Sequence, residues 1–152
     1  MSQTFKWSPA MTPNSQTSPN ATLTPIPEAR RMEFLLKLFG TSLMIIGENS
    51  VYTFMEQLCS DYNGGFWQFF ETDDGVLYMA PDGPARMKLV WDGNGFEGEM
   101  SNDAAGIIAT LFALSHMSMA FRGADQLAEH YHRLRDFAAE HEDSRMIFAA
   151  ID

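Results

Sequence analysis

The segment EHYHRLRDFAAEH, Glu129 to His141, concentrates three histidines and three carboxylates in thirteen residues. Imidazole and carboxylate are ligands for zinc or iron. On a helix, however, His130 and His132 lie about 200° apart and cannot share one ion. His132 with Asp136, and Glu129 with Arg133, stand four residues apart, the spacing of solvated surface pairs. A metal would need a distant ligand such as His116 or His141. The chain has no HExxH, CxxC pair, GxSxG elbow or Walker loop. No metal, cofactor or catalytic residue is expected, and the single Cys59 falls on the flank of an apolar stripe as a small core residue.

GNGFEG, Gly93 to Gly98, fits the spacing of a dinucleotide loop. A pyrophosphate needs converging backbone N–H groups and the positive end of a helix. Glu97 and Glu99 would instead set two negative charges beside it, and no β-α-β alternation surrounds the motif. A Gly-rich hairpin turn is the better reading.

In DYNGGFWQFF, Asp61 to Phe70, two glycines precede four aromatics. A base-stacking platform requires a basic groove. Between Lys37 and Arg86 there is no Lys or Arg, whereas Glu48, Glu56, Asp61, Glu71, Asp73, Asp74 and Asp82 supply seven negative charges. The glycines therefore stop a helix and most of the rings enter a strand core. The formal net charge of -10 likewise opposes tight binding to nucleic acid or to an anionic membrane.

The elements that must hold these residues follow from periodicity. Residues 1–27 carry five of the seven prolines and one charge, Lys6, which predicts a disordered tail with Phe5 and Trp7 as a weak docking spot. A helix starts at Pro27 and ends before Gly40, with Met32, Leu35, Leu36 and Phe39 as its apolar stripe. TSLMII suggests a short strand, and a second helix from Asn49 or Ser50 packs Val51, Phe54, Met55 and Leu58. FWQFFE, VLYMAP, ARMKLVW and FEGEM, separated by turn residues, predict a four-stranded antiparallel meander. Ser101, Asn102 or Asp103 caps a long helix through Phe121. That uncharged run is just long enough to span a membrane, but its Thr, Ser and His residues favour a buried core helix. Two further helices close the chain. The expected fold is α+β, one domain whose meander packs against several helices.

GENSVY (47–52), DYNGGFWQFFE (61–71), LYMAP (77–81) and NGFEGEMSNDAAGIIATLFALS (94–115), continuing through YHRLRDFAAEH to the terminal AID, resemble the ArdB/KlcA antirestriction family. The likeness covers roughly residues 28–152 and excludes the tail, so 28–152 is taken as the antirestriction domain. It implies a protein, carried by mobile elements, that protects incoming DNA by inhibiting host type I restriction-modification, without a catalytic site of its own. The expected partner is the type I restriction complex or an associated host factor, in the bacterial cytoplasm. A small metal-dependent hydrolase or nuclease using Asp, Glu and His is the alternative, weakened by the lack of an E-x-K or D-x-K pair.

Full DNA mimicry is not expected. Ten base pairs present roughly twenty phosphates, about twice this chain's net charge. A local acidic edge is the candidate partner surface. On FEGEM, burying Phe96, Gly98 and Met100 turns Glu97 and Glu99 outward. Asp92 precedes that strand, Asp103 follows it, and Asp73 and Asp74 occupy a turn expected in the same sheet.

Overall fold

Ser101 starts the central helix: its Oγ accepts the N–H of Ala104 across 3.1 Å, satisfying one of the free donors of the first turn. In the computed structural model, which describes residues 23–152, the helix α3 then runs Asn102–Ala120. Eleven of its residues are buried, including Ile107, Ile108, Leu111 and Leu114. Length and composition alone would let α3 cross a membrane. Here it is the axis of the core.

The other elements wrap it in chain order. The strand β1 (Leu23–Pro25) leads into a short 3-10 turn and helix α1 (Arg31–Phe39). Helix α2 (Met44–Leu58) precedes strands β2 (Trp67–Thr72), β3 (Leu77–Pro81), β4 (Arg86–Trp91) and β5 (Phe96–Ser101). Helices α4 (Asp125–Ala138) and α5 (Ser144–Ile151) follow α3.

The strands form two antiparallel sheets, β1-β2-β3 and β4-β5, and not the single meander expected from sequence. The reason lies on the far edge of β3. There Met79 N–H donates to Thr110 Oγ1, and Thr110 lies 3.3 Å from Met79 O as well. Asn102 Nδ2 donates to Pro81 O at 2.9 Å. Side chains of α3 thus occupy the backbone groups that β4 would have paired. The close approach needs Gly106, since a Cβ there would meet Ala80 Cα and Met79 O at 2.4 Å.

Three local expectations also change. Leu23–Pro25, assigned to the tail, pairs with Thr72–Phe70 as an edge strand, and Ile26 N–H extends the pairing to Phe69 O. Residues 1–22, which hold Phe5, Lys6 and Trp7, lie outside the described part. The TSLMII run is helical: a 3-10 turn over Thr41–Leu43 enters α2, after a 109° corner at Gly40, whose φ of 83° suits glycine. Finally, α1 buries Phe34, Leu35, Leu38 and Phe39, leaving Met32 and Leu36 exposed. Phe34 decides this rotation, because it stacks on Phe69 of β2 with centroids 4.9 Å apart.

Candidate functional site: an acidic cleft beside the second sheet

The last turn of α2 and the strand β4 lie side by side at the surface. They leave a surface cleft of about 410 Å³. Gln57, Leu58, Ser60 and Asp61 form one wall, and Lys88, Val90, Trp91, Asp92 and Gly93 the other. No residue of β5 lines it, so the cleft opens on the unpaired side of β4. Its apolar end continues into a half-buried aromatic cluster: Trp91 lies 4.9 Å from Phe112 and 6.2 Å from Phe54, centroid to centroid.

The polar rim is acidic. Lys88 Nζ sits 2.9 Å from Glu97 Oε2 across the β4-β5 ladder. Its ammonium is held above the ordinary lysine range, first by that hydrogen bond and then by the charges of Glu97, Glu99 and Asp61. Asp61, Glu97 and Glu99 therefore act on one cation that already has a partner, and Asp92 adds a further carboxylate to the cleft wall. As an exposed pair, Lys88–Glu97 contributes little to stability, but it leaves the rim with excess negative charge.

The six acidic residues singled out from sequence fall in three places. Asp92, Glu97 and Glu99 share the β4-β5 hairpin and are exposed. Asp73 and Asp74 are exposed in the turn between β2 and β3, hence on the other sheet. Asp103 is partly enclosed in a polar network: Tyr78 OH donates to its Oδ1 at 2.8 Å, and His141 Nε2 lies 2.9 Å from its Oδ2. Burial, with the Asp103 carboxylate second, pushes the Tyr78 hydroxyl well above its usual range, so it remains a donor. Asp61 was missed as a member of the hairpin surface. Only the fold brings it from the α2-β2 loop to β4.

The histidines do not converge. His116 is exposed, its ring centroid 5.9 Å from that of Phe54. His130 Nε2 contacts the carbonyl of Lys37 at 2.9 Å, which pins α4 to α1, and His132 is exposed. Among the described residues no group of three or more His, Cys, Asp and Glu side chains could hold a metal ion. The glycines of GNGFEG also have structural roles. Gly95 takes a φ of 74° in the hairpin turn, and a Cβ on Gly98 would lie 2.8 Å from Met146 Sδ of α5.

A second cluster explains the sequence motifs GENSVY and DYNGGFWQFF. Glu48 accepts from Arg31 and, at 2.7 Å, from Tyr52 OH. Arg31 also stands over the Phe69 ring, 4.9 Å from its centroid. Trp67 Nε1–H donates to Tyr62 OH at 2.8 Å. These contacts lock α1, α2 and β2 together; Gly47 lets Phe39 approach so closely that a Cβ would sit 2.3 Å from its ring.

Fold and surface together describe a small α+β protein with an acidic cleft beside a short sheet. The family model described as "Antirestriction protein" matches residues 60–152. Antirestriction protein KlcA of Escherichia coli is 46% identical over 142 residues, covering 91% of this chain and 99% of that protein. A second Escherichia coli KlcA is 46% identical over 134 residues, 85% of this chain and 92% of its own length. A solved structure from work on KlcA and ArdB superposes with a TM-score of 0.80 at 45% identity, covering 91% of this chain and 99% of that one. That work describes a novel fold and antirestriction activity of KlcA and ArdB against Type I DNA restriction systems in vivo but not in vitro. The chain belongs to the antirestriction protein family that includes KlcA and ArdB.

Proposed function

We propose that this protein shields incoming DNA from type I restriction inside the bacterial cell, through contact with the restriction complex or a host factor associated with it. The near full-length identity to KlcA, on a common fold, carries the reading. Activity of KlcA and ArdB in vivo but not in vitro favours a partner or condition that purified components lack. The charge distribution supports protein contact over full DNA mimicry. Arg31–Glu48, Lys37–Glu71, Lys88–Glu97 and Arg135–Asp152 consume acidic side chains in ion pairs. The exposed remainder is scattered over helices, loops and both sheets, with Glu56 on α2, Asp125, Glu129 and Asp136 on α4, Asp73 and Asp74 on one sheet and Asp92 and Glu99 on the other. A duplex-like array would need regular charge at about 1.7 Å of axis per unit.

Among the six acidic residues, Asp92, Glu97 and Glu99 are the proposed contact set, joined by Asp61. Asp73 and Asp74 form a separate candidate edge, and Asp103 serves the folded state. The site of action is the cytoplasm of the host. Expression in cells carrying a type I system is expected to raise the plating efficiency of unmodified phage, relative to cells with an empty vector. Equal plating would refute the proposed function. The hydrolase reading makes a different demand: loss of protection on replacing the exposed His116 and His132, which protein contact at the cleft does not require.

A further inference from the structure

The hydrogen-bond alternation along β4 determines what its open edge presents. Asn102 N–H donates to Ala85 O at 3.0 Å, extending the β4-β5 ladder by one pair. In an antiparallel ladder, bonded and non-bonded pairs alternate. With the register Met87↔Met100, Leu89↔Gly98 and Trp91↔Phe96, those three pairs exchange bonds. The N–H and C=O groups of Lys88 and Val90 therefore point away from β5. Among the described residues no strand pairs with β4 on that side. Lys88 and Val90 are the β4 residues of the cleft, with Trp91, and the C-terminal turn of α2 stands opposite.

From this arrangement we infer that the cleft receives an extended basic segment of the protein partner, which adds to β4 as a third strand. The inference rests on the proposed antirestriction function and specifies how the partner is held. Main-chain bonds to Lys88 and Val90 would supply register, the usual role of an open edge in strand addition. Val90, Trp91 and Leu58 offer the apolar floor, while Asp61 and Asp92 stand where Lys or Arg side chains of the segment would emerge. The negative end of the α2 dipole favours a cation at the same wall. Lys88 is held to Glu97 and does not cancel the rim. An acidic segment or duplex DNA would be repelled.

Val90→Pro isolates the main-chain contribution. Its N–H lies outside the β4-β5 ladder, and proline is tolerated at such edge positions. Val90→Thr keeps both shape and N–H. The expected result is that full-length V90P loses phage protection by about tenfold, a loss of roughly 1.4 kcal/mol in binding, while V90T protects like the parent and both melt near the parent temperature. Full protection by a folded V90P would overturn the inference.

A second arm does not depend on the protection assay or on V90P folding. A photo-crosslinking phenylalanine is placed at position 90, or at position 129 on α4 as control, in cells carrying a type I system. Position 90 should capture a Lys- or Arg-containing peptide of a restriction subunit or associated factor, in yield above position 129. Capture of residues 1–22 of the chain itself, of a second copy, or of nothing beyond the control would overturn the inference. If the parent fails to protect, the proposed function fails, and this arm still decides whether the cleft takes a basic segment.

Discussion

His141 and Asp103 meet across 2.9 Å, Nε2 to Oδ2, and join the loop between α4 and α5 to the start of the core helix. The tautomer follows from the other ring nitrogen. Nδ1 accepts the N–H of Asp143 at 2.9 Å, so in the neutral ring the proton resides on Nε2 and is donated to Asp103. Asp143 returns a carboxylate bond to Ser101 N–H at 3.1 Å, beside the helix cap. Asp103 thus organises the fold.

Replacing Asp103 with Ala strands the hydroxyl of Tyr78, a side chain with 0% exposure, without an acceptor. An unsatisfied buried donor costs about 1–3 kcal/mol, with the lost bond to His141 in addition. Asp103→Ala should therefore fall by roughly 2–4 kcal/mol in urea denaturation. Tyr78→Phe, which removes donor and demand together, should cost about 1 kcal/mol. Equal stability of Asp103→Ala and the parent would contradict the structural role.

Gly106→Ala tests the contact that divides the sheets. A methyl would press on the Ala80 and Met79 backbone, which cannot yield as a flexible side chain does. Destabilisation of about 1–3 kcal/mol or more is expected. Thr110→Val should also destabilise, because it leaves Met79 N–H without its α3 partner.

The N-terminal boundary predicts two different truncations. Removing residues 2–20 should leave the melting temperature nearly unchanged, since that stretch is mostly Ser, Thr, Asn, Gln and Pro with few apolar residues. Removing 2–26 deletes β1 and its pairing with β2, and should lower the melting temperature by several degrees. Identical melting of both forms would show that β1 contributes nothing.

His130 gives a pH dependence of definite sign. Burial, partly opposed by its bond to Lys37 O, lowers its pKa below the ordinary 6.5. Below pH 6.5 the unfolded chain then binds the proton first, so stability falls as pH falls towards the folded-state value. The contribution is complete above pH 6.5. Denaturation midpoints at pH 7.5 and pH 5.5 should differ less in His130→Gln than in the parent; an unchanged difference would remove His130 as the cause.

The sequence revealed most elements because their periodicities are strong. Val51, Met55 and Leu58 are buried as the helical spacing of α2 requires, and Phe69 is buried while Gln68 is exposed, as alternation in β2 requires. It did not reveal the split sheet. Four strands with short turns imply a meander unless a side chain competes for an edge, and Thr110, thirty-one residues from Met79, gives no local sign of doing so. The α1 stripe was misjudged for a similar reason: several apolar residues fit a helical face, and only packing against Phe69 selects Phe34 over Met32 and Leu36. The cleft was half legible. Alternation placed Glu97 and Glu99 outward, but Asp61 and Trp91 join them only through tertiary approach of α2 and β4.

Protein contact, as opposed to occupation of a DNA groove, is tested most directly by recovering the tagged chain from cells with an active type I system and challenging the bound material with duplex DNA. The account predicts that a restriction subunit or associated factor is retained on the parent, stays bound when duplex DNA is added, and is lost from a folded Asp61→Asn, Asp92→Asn, Glu97→Gln, Glu99→Gln variant. Stoichiometric release by duplex DNA, with retention on the neutralised variant, would contradict it.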